Sequence, residues 1–355
     1  MPDHLKKLRE QIDAVDDQLL QLFNDRAALA QNVGDVKGSS VVYRPEREAQ
    51  VLRRLIEANP GPLPAQTVAH LFIELISACR AQEAMLSVAC LGPKGTFSEE
   101  AVGKHFGAQV PLVMCASIDD VFRTVESGSV GYGVVPLENS TEGAVGRTLD
   151  LLLVTPLKMC GEILLPVHQN VLSKAGGIEN VKHIYSHAQS LSQCNSWLTE
   201  NMPGVETIPV ASNAEAARRA AEDSQAAAVA GHAAAEHYGL SILANSIEDD
   251  PNNTTRFAVI AAQEVSASGH DKTSFVMSSQ NRPGAIFDLL KPLAEHQVSM
   301  TRLESRPSRA GLWEYVFFVD VVGHQDDNAV QTALSEIRKR AGFVKVLGSY
   351  PAAVA

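Results

Sequence analysis

The sequence predicts a multidomain chain: an all-α helical segment over residues 1–86, a two-lobed α/β domain over 87–265, and an α+β, ferredoxin-like domain over 272–351. Three observations carry this. In the first segment apolar residues recur at alternating spacings of three and four, the period of a helix stripe. The middle shifts to short apolar strands, glycine loops and alanine-rich helices, with a faint internal repeat. The last segment reads strand, helix, strand, strand, helix, strand, the split βαβ order.

Composition narrows the function classes. The 355 residues are 45% hydrophobic and 20% charged, an ordinary globular balance. A formal charge of −11 disfavours nucleic acid, since neutralising phosphates needs a basic face. No apolar run reaches the length of a membrane span, and Met1-Pro2-Asp3-His4-Leu5-Lys6 does not read as a signal peptide. A cytoplasmic location and no membrane partner are therefore expected. Cys79, Cys90, Cys115, Cys160 and Cys194 are scattered without a Cys-x-x-Cys pair and read as reduced, mostly buried thiols. No cofactor and no metal site are expected.

In the first segment Leu5, Leu8, Ile12, Val15, Leu19, Leu22, Leu29, Val33 and Val36 form the stripe of one long helix, with Arg26 filling its gap. A charge on a buried face costs several kcal/mol unless paired. Arg26 and Lys37 share a face at ~16 Å, whereas Arg9 lies ~25 Å up the helix from Arg26. One ligand touches both arginines only if Arg9 comes from a second, antiparallel copy. Val51, Leu52, Leu55 and Ile56 supply a second helix, closed by Asn59-Pro60-Gly61-Pro62. Val68, Phe72, Leu75, Ile76 and Cys79 supply a third, whose apolar stripe Glu83 continues.

Leu8-Arg9-Glu10-Gln11-Ile12-Asp13, Asp25-Arg26, Val36-Lys37, Tyr43-Arg44-Pro45-Glu46-Arg47-Glu48 and Ser77-Ala78-Cys79-Arg80-Ala81-Gln82-Glu83 resemble the all-helical chorismate mutases. The resemblance implies an intertwined dimer whose site takes Arg9 from the second copy and Arg26, Lys37, Arg47, Glu48 and Glu83 from the first. Arg26, Lys37 and Glu83 would be catalytic. The implied Claisen rearrangement of chorismate needs no nucleophile. It needs a dicarboxylate held in a compact chair and a donor at the ether oxygen, where negative charge develops. The family often has glutamine at the position of Glu83. A glutamate must carry a proton to donate, so mutase activity is expected to fall with rising pH and to flatten in Glu83→Gln.

In the middle segment Val88-Ala89-Cys90-Leu91 reads as a buried strand. Gly92-Pro93-Lys94-Gly95-Thr96-Phe97-Ser98-Glu99 reads as a loop and helix start, with a capping box from Thr96 to Glu99. Such an N-terminus suits an anion, though the spacing is not that of a nucleotide P-loop. The repeat pairs Val113–Ser117 and its helix with Ile208–Ser212 and its helix, Ser117 and Ser212 serving as N-caps. Two such units joined by Leu164-Leu165-Pro166-Val167 give two lobes with a cleft between them. Loops 136–143 and 186–194 and the stretch Asn253-Thr254-Thr255-Arg256-Phe257 are placed to line it. That stretch offers a hydroxyl, a guanidinium and an amide, with no strong base. It suits gripping an anion while hydrogen-bonding a leaving group. Cys194 reads as a small core residue.

The glycine loop, Glu138-Asn139-Ser140, Ser186-His187-Ala188-Gln189 and Thr255-Arg256-Phe257, in that order, resemble prephenate dehydratase, a family with two periplasmic-binding-like lobes. The resemblance implies loss of CO2 and the ring hydroxyl from prephenate, giving phenylpyruvate. Thr255 would donate to the departing hydroxyl and Arg256 would hold a carboxylate. Thr96, Ser98, Glu138, Asn139, Ser140, His187, Gln189 and Phe257 would complete the site.

Ser266–Asp271 reads as a linker. Beyond it, Pro292 implies a kink or an early end in the helix expected over Gly284–Gln297. Arg282-Pro283-Gly284-Ala285-Ile286 and Leu303-Glu304-Ser305-Arg306-Pro307 resemble ACT regulatory domains. The implied ligand is L-phenylalanine, bound where two copies pair. Gly284 and Ala285 would receive its carboxylate, Ile286 and Leu289 its ring, and Glu304, Ser305 and Arg306 would help fix it. A chain ending near Ala267 is expected to keep some dehydratase activity and lose the inhibition. Together the resemblances imply a bifunctional, feedback-inhibited enzyme, homodimeric or homotetrameric. The rivals are an enzyme preferring arogenate and a non-catalytic amino-acid sensor. The hydroxyl-rich loops favour the enzyme.

Overall fold

The computed structural model describes residues 2–37, 43–83, 86–279, 282–307 and 315–354; the side chains of Pro2 and Lys37 lie outside the described set. The helical stripe becomes α1 (Pro2–Lys37), followed by α2 (Pro45–Glu57) and α3 (Ala65–Glu83). The end of α1 packs on α3. At Gly34 the approach is close: a Cβ there would lie 3.1 Å from Glu83 Cγ. The rest of the stripe is uncovered within one chain: Leu5, Leu8, Ile12, Val15, Leu19 and Leu22 are all exposed. A contiguous apolar face of this length calls for a partner surface.

The first lobe contains β1 (Val88–Leu91), α4 (Phe97–Phe106), β2 (Leu112–Cys115), α5 (Ile118–Glu126), β3 (Tyr132–Asn139), β4 (Gly143–Ala144), α6 (Gly146–Val154) and β5 (Lys158–Pro166). The second contains β6 (Asn170–Ser173), β7 (His183–His187), α7 (Ala188–Gln193), α8 (Asn195–Asn201), β8 (Glu206–Val210), α9 (Asn213–Glu222), β9 (Ala226–Ala230), α10 (His232–Tyr238) and β10 (Ser241–Ala244). The chain then returns to the first lobe as β11 (Thr254–Ala261). The sheets run β2-β1-β3-β11-β5, with β4 on β3, and β10-β6-β9-β7-β8. The three expected helix caps form: Thr96, Ser117 and Ser212 accept from the backbone N–H of Glu99, Asp120 and Glu215. The two interlobe connections are tied together, Glu248 accepting from Gln169 N (2.8 Å) and Val167 N donating to Asn253 O (2.8 Å).

The last domain is β12 (Asp271–Ser278), α11 (Ala285–Glu295), β13 (Met300–Pro307), β14 (Tyr315–Val322), α12 (Asn328–Arg340) and β15 (Phe343–Pro351), in the order β13-β14-β12-β15. Pro292 sits inside α11 without ending it. One face of this sheet carries the helices, packed on Phe275, Met277, Val319 and Val321. The other face lies on the first lobe: Val276, Phe318, Leu347 and Tyr350 share one core with Val135, Leu137, Leu149 and Met159. At Gly348 the approach is so close that a Cβ would lie 2.0 Å from the Met159 carbonyl oxygen.

The expected linker is a fixed joint. Asp271 accepts from Ser268 N (2.8 Å), Ser268 Oγ (2.7 Å) and Gly269 N (3.1 Å). Arg53 of α2 donates to Ser268 Oγ (3.0 Å) and to the carbonyls of His270 (2.9 Å) and Ala352 (3.0 Å). Buried backbone polar groups need such partners, and the charged side chains supply them.

Candidate active sites

The first pocket lies among the three helices. It is lined by Arg26, Leu29, Ala30, Val33, Arg44, Arg47, Glu48, Val51, Ile76, Cys79, Arg80 and Glu83. Four arginines against two glutamates suit a small dianion. Arg26, Arg47, Glu48 and Glu83 therefore converge as the sequence motifs imply. Arg9 does not line the pocket of its own chain, and the side chain of Lys37 is outside the described residues. Arg80 and Arg44 were missed. Arg80 is 5% exposed and donates through Nη1 to Glu48 Oε1 at 2.7 Å. Burial pushes the Glu48 carboxyl above its usual range, against the pull of Arg80.

The second pocket is the cleft between the lobes. Thr96, Phe97 and Ser98 enter it from the start of α4, and Asn139, Thr255 and Phe257 from β3 and β11. Gln169, His187, Gln189, Ser190, Gln193, Ser212 and Asn213 enter it from the second lobe. Residues 139 and 255 face one another across the two strands. Asn139 Nδ2 donates to Thr255 Oγ1 at 2.9 Å. The Asn139 amide is oriented by its oxygen, which accepts from Thr141 N (3.1 Å), Thr141 Oγ1 (2.6 Å) and Glu142 N (3.2 Å). With a lone pair taken by Asn139, the Thr255 O–H is free to donate into the cleft.

Arg256 and Glu138 depart from expectation for one reason. Successive residues of a strand point to opposite faces. The pair Arg256↔Glu138 follows Thr255↔Asn139 in the ladder and so turns away from the cleft. Arg256, 6% exposed, bonds Glu162 Oε2 (2.9 Å), Asp320 Oδ2 (2.5 Å) and the Tyr350 hydroxyl (2.9 Å). Burial opposes its charge, but Tyr350, Asp320 and Glu162 outweigh that and hold the guanidinium well above its ordinary pKa. Glu138 pairs with Arg302 of β13 at 2.5 Å. Phe257, two residues on from Thr255, returns to the cleft side, and the register slip beside it falls on β3, where Leu137 is passed over. Ser140 is exposed and does not line the cleft; its Oγ accepts from Thr254 N (3.0 Å) and braces the strand ends.

Among the described residues, no Arg, Lys, Asp or Glu lines the cleft. The positive ends of the ten-residue helices α4 and α9 open on it instead. Gln169 and Asn213, missed in the sequence, form its floor with Ser190 of the expected loop. Asn213 Nδ2 donates to Ser190 Oγ (2.9 Å), and Gln169 Nε2 to the same oxygen (3.2 Å). The N-cap signal at Ser212 could have found Asn213. His187 caps α7, its ring accepting from Gln189 N at 3.4 Å. Cys194 is wholly buried in the second lobe's core.

In the last domain Gly284 (φ +76°), Ala285 and Ile286 form the start of α11. Leu289 is not free surface; it is 2% exposed in the core between helices and sheet. On β13, Ser305 pairs with Phe317 on the helix side, whereas Glu304 and Arg306 pair with Phe318 and Val316 on the lobe side. Arg306 donates to Asp150 (3.2 Å) and presses on Gly146, where a Cβ would meet its guanidinium at 2.6 Å. It belongs to the domain contact. Among the described residues no cluster of His, Cys, Asp or Glu is placed to hold a metal, and no helix is long and apolar enough to cross a membrane.

A pocket of arginines among three helices, an interlobe cleft fed by helix N-termini and a four-stranded α+β domain packed on one lobe define a multidomain protein with two sites for small anions. Three family models match in chain order: chorismate mutase type II over residues 8–84, prephenate dehydratase over 88–265 and ACT domain over 273–339. The chain is 53% identical over 349 residues to a bifunctional chorismate mutase/prephenate dehydratase of Neisseria gonorrhoeae, covering 98% of this chain and 96% of that one. It is 48% identical to the protein so described from Pseudomonas aeruginosa, over 99% of each chain. The solved prephenate dehydratase of Arthrobacter aurescens in complex with L-Phe superposes with a TM-score of 0.70 at 31% identity, over 75% of this chain and 90% of that one. The chain belongs to the bifunctional chorismate mutase/prephenate dehydratase family and has both activities.

Proposed function

We propose that Arg26, Arg47, Glu48 and Glu83, joined by Lys37 and by Arg9 of a second copy, hold chorismate in its reactive chair. The exposed stripe of α1 supports an antiparallel dimer, the arrangement that brings Arg9 to the pocket. In the cleft, prephenate lies with its carboxylates toward the starts of α4 and α9 and its ring hydroxyl toward Thr255. Thr255 hydrogen-bonds the departing oxygen while CO2 leaves. Aromatisation supplies the driving force, so a weak acid suffices. The Thr255 hydroxyl, freed for donation by Asn139 in a cleft with no Asp, Glu or Lys among its described lining residues, is the observation that carries this reading.

The absence of Asp and Glu among the cleft's described lining residues supports prephenate over arogenate. The ammonium group of arogenate would meet helix N-termini and no counter-charge. L-phenylalanine is the proposed effector, bound at Gly284, Ala285 and Ile286 with Ser305, where a second copy covers the exposed Phe287 and Leu303. The test is to supply chorismate, prephenate and arogenate separately and follow product absorbance. Turnover of arogenate equal to that of prephenate would overturn the substrate assignment. Phenylalanine leaving the dehydratase unaffected would overturn the effector assignment.

A further inference from the structure

We infer that Arg80 is a positioning residue shared by both active sites, joining the mutase pocket to the dehydratase cleft through α4. Arg80 lines the mutase pocket and is almost wholly buried. Its two terminal nitrogens have different duties. Nη1 donates to Glu48 Oε1 at 2.7 Å, inside the pocket. Nη2 donates at 2.9 Å to the carbonyl of Phe106, the last residue of α4. The guanidinium lies against the rings of Tyr43 and Phe106 on one side, at 5.3 and 5.7 Å from their centres.

The other end of α4 is in the cleft, where Thr96, Phe97 and Ser98 line the wall. Ten residues of helix make a rigid rod of roughly 15 Å. Its C-terminal end is fixed to α3 at two further points. Ala108 N donates to Glu74 Oε1 at 3.0 Å. Gly107, at φ +89°, lies so close to Ser77 that a Cβ would come within 2.6 Å of its side chain. At the N-terminal end Phe97 abuts Gly231 of the second lobe, where a Cβ would meet the ring at 2.8 Å.

A dicarboxylate entering the mutase pocket competes with Glu48 for Nη1 while Nη2 keeps its hold on Phe106. A turn of the planar guanidinium therefore loads the joint between α3 and the end of α4, and through the rod the Thr96–Ser98 wall of the cleft. Such coupling is reciprocal: what mutase occupancy does to prephenate binding, prephenate must do to mutase occupancy. The inference rests on the cleft being the dehydratase site.

The experiment uses the full chain and a non-reacting bicyclic dicarboxylate shaped like the chair transition state. Dehydratase KM and kcat for prephenate are measured with and without it. A KM shift of roughly 5-fold, the low end of site-to-site coupling, is expected in the unaltered chain. The shift should vanish in Arg80→Gln. It should also vanish in Arg80→Lys, which keeps a charge beside Glu48 but cannot fork; Arg80→Lys decides the matter if Arg80→Gln fails to fold. Arg26→Ala, which weakens the mutase pocket, should remove the shift as well. No shift in the unaltered chain, or one that survives in Arg80→Lys, overturns the inference. A shift surviving in Arg26→Ala also overturns it, since the analogue then acts in the cleft. A fall of at least ~100-fold in dehydratase turnover in Thr255→Ala, with mutase turnover unchanged, tests the cleft assignment separately.

Discussion

Arg256 Nη1 lies 2.5 Å from Asp320 Oδ2, an ion pair that crosses from β11 of the dehydratase domain to β14 of the ACT domain. Both side chains are buried, at 7% and 3% exposure. Removing one member of such a pair leaves an uncompensated charge, which costs roughly 3–5 kcal/mol. Asp320→Ala is expected to lose stability on that scale in urea unfolding. Replacing Arg256 and Asp320 together with apolar residues should recover much of it. A loss below about 1 kcal/mol in Asp320→Ala would show that the pair is not buried as described.

Thr255→Ala should lower dehydratase turnover at least ~100-fold, the usual scale for one transition-state donor. Thr255→Ser should retain most of it, because the hydroxyl still meets Asn139. Mutase turnover in both variants should be unchanged. Separate assays of the two activities check this, and near-normal dehydratase turnover in Thr255→Ala would sink the donor role.

His105 is predicted to make the junction of helical and catalytic domains acid-sensitive. Its ring nitrogen lies 2.5 Å from the buried Tyr43 hydroxyl. Burial, then the nearby charges of Arg80 and Lys104, lowers its pKa from 6.5 to about 3. As pH falls the unfolded chain takes up the proton first. The stability is fully present above about pH 6.5 and is lost progressively toward pH 3. His105→Gln, which can still accept from Tyr43, should show a flatter fall in melting temperature over that range. Parallel curves for the two proteins would refute the assignment.

A chain ending near Ala267 should fail as a folded catalyst rather than act as a desensitised one. Loss of the ACT domain would uncover Val135, Leu137, Leu149 and Met159 and leave Arg256 and Glu162 without Asp320 and Lys272. The expected outcome is aggregation or negligible dehydratase activity. A soluble, active, phenylalanine-insensitive fragment would show that the shared core is dispensable.

The elements were legible because each has a local signature. The stripe of α1, the caps at Thr96, Ser117 and Ser212 and the order of the last domain depend on neighbours in sequence. What was not legible depends on which way a strand faces a neighbouring domain. Thr255 and Arg256 are adjacent polar residues, and only the packing of a distant sheet tells that one serves the cleft and the other Asp320. The same holds for Arg306, whose partner Asp150 lies 156 residues away, and for Ser266–Asp271, whose loop-like composition conceals the clamp from Arg53.

The opposed facing of Thr255 and Arg256 makes β11 intolerant of changes in length. Adding or deleting one residue between Asn252 and Thr255 without compensation would slide the strand by half a pleat. The guanidinium would then face the substrate, and the hydroxyl would lie among buried carboxylates. Chemistry and domain attachment would fail in one step. Natural or engineered variation in chain length should therefore collect in the turn before Asn252 and spare the strand itself, since the strand keeps both functions only as long as its parity is preserved.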